Sequence, residues 1–165
     1  MINLIAAIDL NNALGFQNKL LVKLPEDMKH FRQLTENNIV VFGRKTYESI
    51  GKPLKQRQNI ILTRNQDYKA PIGTFVYNTL NEVLHKYSNQ SNGDRELFIA
   101  GGEEIYRQAL PFAKKIYLTI IENHFKQADA FFPKLSDEWR IVSRESHDPD
   151  DKHRYPYHFL VYERK

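Results

Sequence analysis

Short, unbroken apolar runs separated by stretches of helical character constrain this chain most. The runs fall at residues 3–8, 39–42, 59–63, 74–77, 96–100 and 116–121. Most are continuous Val, Ile, Leu and Phe, without the polar alternation of a strand that keeps one wet face. Such runs belong to strands covered on both faces, as in a parallel sheet. Between them, residues 25–35, 45–49, 80–87 and 103–110 read as helices. Strand and helix in alternation predict an α/β fold with helices on both faces of a mostly parallel sheet. Residues 139–144 and 157–162 break the rhythm. Tyr157, Phe159 and Val161 alternate with His158, Leu160 and Tyr162, which predicts a C-terminal antiparallel hairpin across the polar stretch 145–156. The expectation is one domain over residues 1–165, with about eight strands and about four flanking helices. Residues 88–94 read as a surface loop.

Composition narrows the chemistry. With no cysteine, disulfides, thiolate nucleophiles and thiolate metal sites are excluded, which suits the cytoplasm. The net charge of +4 favours an anionic ligand. Basic residues are interleaved with acids, so the clustered basic face of a nucleic-acid binder is missing. No apolar run approaches the ~20 residues of a membrane span. The first residues read as a strand, not a signal peptide. Residues 147–153 hold two histidines among aspartates. They match neither a calcium loop nor zinc-site spacing and read as a solvated hairpin turn. No metal is expected.

Three places could carry chemistry. In 25–35, Pro25 suits a first helical turn, and Leu24, Met28, Phe31 and Leu34 share one face. Asp27 lies on that face too. Either it complements the helix dipole, or it awaits a cationic or hydrogen-bond-donating ligand that offsets its apolar setting. The second place is Gly43-Arg44-Lys45-Thr46, where a buried strand ends and a helix begins with two cations. It reads as a tight turn with solvated charges or as an anion site. The third is Gly101-Gly102, where a strand again runs through glycines into a helix. Paired glycines either allow a strained or cis peptide and close approach of a phosphate, or form a plain strand-to-helix turn. In a parallel sheet such strand ends gather on one edge. The long connection 9–24 leaves that same edge and reads as a lid.

Taken in order, the motifs resemble those of bacterial dihydrofolate reductases over nearly the whole chain. They are Leu4-Ile5-Ala6-Ala7, Leu24-Pro25-Glu26-Asp27 with Phe31, the run from Gly43 to Leu54, Arg57 to Arg64, Gly101-Gly102 with Ile105-Tyr106, Tyr117-Leu118-Thr119, and Phe131-Phe132-Pro133. The resemblance implies reduction of dihydrofolate with NADPH by a cytoplasmic monomer, binding neither nucleic acid nor membrane. Asp27, supported by Thr119, would meet the pterin, with Leu20 and Val22 of the lid beside the reacting centre. Ile5, Ala6, Ala7, Met28, Phe31, Ile50, Leu54 and Ala100 would line the substrate site, and Arg57 would hold the glutamate carboxylate. For the cofactor it implies Ala7, Leu14 and Gly15, the turn Gly43, Arg44, Lys45 and Thr46, and the run Leu62, Thr63 and Arg64. Ala100, Gly101, Gly102, Glu103, Glu104, Ile105 and Tyr106 would complete that surface. Arg44 and Arg64 would take the 2′-phosphate.

The chain departs from the family pattern in the lid, where Leu21-Val22 replaces the usual Pro-Trp. Ala128 replaces a Gly before Asp129, and Lys55-Gln56 replaces Pro-Gly before Arg57. These departures carry the hypothesis of weakened antifolates such as trimethoprim. Two rivals stand beside this reading. One is a pterin or pyrimidine reductase of the same fold, and the other is a non-catalytic nucleic-acid module.

Overall fold

The computed structural model describes residues 1–88 and 93–165. The chain runs β1 (Ile2–Asp9), β2 (Ala13–Phe16), β3 (Lys19–Leu20), α1 (Pro25–Thr35), β4 (Ile39–Gly43), α2 (Arg44–Ile50), β5 (Gln58–Leu62) and β6 (Thr74–Tyr77). It continues with α3 (Leu80–Ser88), β7 (Leu97–Ile99), α4 (Glu103–Ala109), β8 (Lys115–Ile121), β9 (Ala130–Phe131), β10 (Trp139–His147) and β11 (Tyr157–Arg164). Eight strands form one sheet in the order β10-β11-β8-β1-β7-β4-β5-β6. From β8 to β6 every pairing is parallel. β11 joins β8 antiparallel, and β10 closes the edge as its hairpin partner.

The unbroken apolar runs are explained by the two faces of this sheet. Ile39, Val41, Ile60 and Ile99 face one cluster, which Val83 of α3 and Tyr106 and Ala109 of α4 complete. Val40, Phe42 and Ile61 face the other, with Tyr47 of α2 and Phe31 of α1. Successive residues of a strand point to opposite faces, so a strand covered on both sides needs apolar residues throughout. The edge strand β10 is exposed along most of its length, and its charges and a bulge near Ile141 blunt it against further pairing.

The helix α1 differs from its apolar-stripe reading. Leu24 is buried and Phe31 and Leu34 are half-buried, but Met28 is 56% exposed and the one buried residue within the helix is Thr35. The stripe is only partly covered by the protein itself.

The connection 9–24 also carries more structure than a bare lid. β2 and β3 pair around Gln17 and Asn18, whose φ angles of 51° and 62° are both positive, the conformation of a two-residue I′ hairpin turn. β9 adds a third strand. Gly15 is required here, since a Cβ would lie 2.5 Å from the Lys19 carbonyl oxygen. The buried Asp9 carboxylate anchors the base: it accepts from the backbone N–H groups of Asn11 (2.8 Å), Ala13 (2.9 Å) and Phe125 (2.9 Å). Asp129 accepts from the Gln17 N–H at 3.0 Å and docks the hairpin tip.

Other differences are smaller. The helix expected over 103–110 ends at Ala109 and tightens into a 3-10 turn, Leu110–Phe112, at Pro111. β10 extends to His147, and a bridge between Asp150 and His153 continues the hairpin. The turn is not wholly solvated: His153 is 2% exposed. Its ring packs on Tyr157 and finds polar partners inside the fold. The loop expected over 88–94 falls partly outside the described residues.

Asp9→Ala would orphan three N–H groups at the root of the hairpin. It is expected to lower the unfolding free energy by ~2 kcal/mol, seen as a lower urea midpoint at unchanged m. A wild-type midpoint would show that these bonds add nothing.

Candidate active site

The site forms where the parallel strands end. Asp27 lies in the first turn of α1, after Pro25, which occupies a position whose N–H would have no helical partner. Thr119 lies in β8, beside Ala7 of β1 and Phe159 of β11. Its hydroxyl donates to Asp27 Oδ1 at 2.5 Å. Burial pushes the Asp27 carboxyl above its ordinary value, and the Thr119 bond opposes that rise. Burial and the Thr119 bond thus act on the proton affinity of this carboxyl in opposite directions, with burial the larger.

From the other side, α4 sends Tyr106 beneath the same strands. Its hydroxyl donates to the Ile5 carbonyl oxygen at 2.7 Å. Burial pushes that hydroxyl far up, and the Asp27 charge adds to the rise, so the two groups share one electrostatic environment. Gly101, with φ of 113°, lies against this ring; an added Cβ would sit 3.4 Å from the hydroxyl.

Two glycine turns meet beside Tyr106. β4 and β7 are parallel neighbours, so the turns after them abut. The Gly43 N–H donates to the Gly101 carbonyl oxygen at 2.9 Å. The Gly101-Gly102 peptide is cis. Gly43 caps α2 and Gly102 caps α4, neither with a side-chain hydrogen bond. A Cβ on Gly102 would come within 3.3 Å of Thr46 Oγ1, so a side chain there would crowd the space between the turns. The adjoining cations are the exposed Lys45 and Arg64 and the half-buried Arg44, which Glu48 grips at 3.0 and 3.1 Å. Backbone N–H groups, a hydroxyl and cations around a glycine cradle fit an extended, phosphate-bearing cofactor.

A third feature lies at the far end of α1. Arg57 donates through Nε to the Lys55 carbonyl oxygen (2.8 Å) and through Nη1 to Thr35 Oγ1 (3.2 Å). Its guanidinium lies 6.0 Å from the centre of the Phe31 ring. Nη2 has no hydrogen-bond partner among the described residues, which leaves one edge of the fork for an anion.

Ile5 is buried, while Ala6, Ala7, Leu54 and Ala100 are half-buried. Met28 and Ile50 are exposed at 56% and 39%. Leu14 packs on the core at the base of the hairpin, and Leu20 is 63% exposed at its end. Val22 packs with Leu24, Ile121, Tyr157 and Phe159. Leu62 is buried, and the Thr63 hydroxyl accepts from the Asn65 N–H. Ile105 packs on the core, Glu104 pairs with Arg107, and Glu103 accepts from the Phe131 N–H at 2.8 Å. Sequence reasoning missed Thr35, Asp9 and His153. Asp9 carried a signal, an acid ending a buried strand; the other two depend on partners remote in sequence.

The dihydrofolate reductase family model matches residues 1–164. Dihydrofolate reductase of Bacillus subtilis (strain 168) is 38% identical over 166 aligned positions, covering 100% of this chain and 95% of that protein. Dihydrofolate reductase type A13 of Escherichia coli is 42% identical over 146 positions, covering 88% and 86%. Among solved structures, dihydrofolate reductase from Enterococcus faecalis, complexed with NADP(H) and RAB-propyl, superposes with a TM-score of 0.92. It is 32% identical, and the match covers 100% of this chain and 96% of that one.

A carboxyl raised by burial binds its proton more tightly in the folded state. That contribution to stability is full below the unfolded-state pKa and is lost as pH rises through the folded one. Asp27→Asn is therefore expected to melt higher than the parent near neutral pH, with the gap closing in acid. A gap that stays constant with pH would contradict a raised carboxyl.

Proposed function

The chain belongs to the dihydrofolate reductase family and is an oxidoreductase, and from that premise we propose that it reduces 7,8-dihydrofolate to 5,6,7,8-tetrahydrofolate with NADPH. The observation that carries this reading is the Asp27–Thr119 pair. A partly buried carboxylate needs donors, and a pterin edge offers an amino group and a ring N–H. Thr119 occupies Oδ1 and fixes the rotamer, which leaves the other lone pairs for the ring. NADPH, when bound, supplies the hydride that adds to the imine carbon of the substrate. Asp27 raises the proton affinity of the site, so that the neighbouring ring nitrogen gains a proton from solvent. Tyr106 and Ile5, joined by their hydrogen bond, would form the floor between the two ligands, and Ala100 would meet the nicotinamide.

The surrounding residues bind and orient. Met28, Phe31, Ile50 and Leu54 offer incompletely covered apolar surface for the ring and benzoyl group. Arg57, held by Thr35 and Lys55, presents its remaining edge to a glutamate carboxylate. Gly43, Thr46, Gly101 and Gly102 would cradle the pyrophosphate, and Arg44 and Arg64 would take the 2′-phosphate. The β2–β3 hairpin acts as the lid, excluding water when it closes. Val22 turns into the Leu24 cluster, which supports a lid wall of altered shape and a weakened grip on trimethoprim. The reading includes a cytoplasmic monomer formed from a single domain.

The test is spectrophotometric NADPH oxidation with dihydrofolate. Asp27→Asn is expected to lower kcat/KM ~100-fold or more near neutral pH, the scale of general acid–base help, and equal rates would remove the assigned role. Activity on a flavin precursor without activity on dihydrofolate would favour a pyrimidine reductase. Replacing Arg44 and Arg64 together by Ala is expected to cut the NADPH-over-NADH preference at least ~10-fold. An unchanged preference would dismiss the 2′-phosphate assignment, and a tight, family-typical trimethoprim inhibition constant would dismiss the altered lid wall.

A further inference from the structure

We propose that His153 is a positioning residue for Asp27, acting as the N-terminal cap of α1 through a neutral imidazole with its proton on Nδ1. The proposal rests on the role of Asp27 given above. Helix α1 has no cap of its own. Leu24 occupies the N-cap position without a side-chain bond, and Pro25 has no N–H to give. The first orphan donor is the Glu26 N–H, one residue before Asp27, since the Met28 N–H already reaches the Leu24 carbonyl oxygen. Glu26 N–H donates to His153 Nε2 at 3.2 Å, across 127 positions of sequence.

The partners fix the tautomer. A nitrogen that accepts an N–H must keep its lone pair. His153 Nδ1 lies 2.8 Å from Asp150 Oδ1, an acceptor, so the ring proton belongs on Nδ1. Asp150 is held in turn: Oδ1 also accepts from the Lys152 N–H at 2.9 Å, and the backbones of Asp150 and His153 bridge each other. The imidazole is 2% exposed and packs on Tyr157 with ring centres 4.9 Å apart.

The cap matters for Asp27 because both of the carboxylate's references trace to one frame. Thr119 lies in β8 opposite Phe159, and Tyr157, beneath His153, lies opposite Ile121 of the same strand. The strand pair thus places the hydroxyl that Asp27 accepts from and the imidazole that holds the start of its helix. Leu24, packed with Ile121, Tyr157 and Phe159, completes the attachment. Without His153 the first turn of α1 loses its acceptor, and substrate binding must then order that turn. The glycine turns for the cofactor lie on other elements and do not depend on it.

The test uses the full chain: wild type, His153→Ala, His153→Asn and Asp27→Asn. Dissociation constants for dihydrofolate and for NADPH are measured separately, together with the imidazole ¹⁵N spectrum of the wild type. The expected results are a proton on Nδ1 alone, a rise of about fivefold in the dihydrofolate Kd of His153→Ala, the scale of a lost cap, and an unchanged NADPH Kd. His153→Asn, whose amide oxygen can accept the Glu26 N–H, is expected to restore much of the loss. An imidazole carrying its proton on Nε2 near neutral pH overturns the proposal, and that result needs no variant to fold. Equal losses for both ligands, or an unchanged dihydrofolate Kd in His153→Ala, overturn it too. If His153→Ala binds normally while Asp27→Asn is impaired, only the cap falls. If Asp27→Asn keeps wild-type affinity and turnover, the role of Asp27 falls and takes this proposal with it.

Discussion

The hydrogen bond from Thr119 to Asp27 ties α1 to the central sheet at a point where a carboxyl is costly to place. A carboxyl among apolar neighbours is tolerated only if its partners are in position before the ligand arrives. Thr119 meets this need from β8, whose place between β1 and β11 is fixed by continuous ladders on both sides. The helix supplies the other half, because Pro25 starts the turn that carries Asp27. Burial and the Thr119 bond then pull its proton affinity in opposite directions, which leaves a carboxyl responsive to whatever binds beside it.

The parallel sheet extends this local arrangement into a site. Parallel strands end on the same edge, and β7 inserts between β1 and β4. That insertion brings the two glycine turns into backbone contact and places Tyr106 under Ile5. Ligands of open α/β sheets lie at such a switch point, and here the carboxylate and the cradle stand on its two sides. The hairpin packs Ala13 and Leu14 on the core at its base and is otherwise held by carboxylate acceptors. Asp9 serves its base and Asp129 its tip, an attachment compatible with a lid that opens.

Much of this was legible in the sequence because it depends on near neighbours. The run 39–42 forms the heart of β4, and the apolar residues on both of its faces follow from the parallel surroundings that the run implied. The paired glycines do contain a cis peptide. What was not legible depends on partners distant along the chain or on weak turn chemistry. Gln17-Asn18 lacks the glycine that marks most two-residue hairpins, so the short strands around it went unread. His153 looked solvated because nothing near it reveals a helix start 127 residues away. Met28 shared a helical face with Leu24, yet spacing alone could not show that the middle of that face is left uncovered.

The most direct test of the central claim is single-turnover reduction of dihydrofolate by enzyme preloaded with NADPH, followed across pH in the wild type and in Asp27→Asn. The account requires the wild-type rate to fall with rising pH through a midpoint above the ordinary aspartate value, and that midpoint to vanish in the variant. Profiles of the same shape in both proteins, differing only by a constant factor, would contradict it.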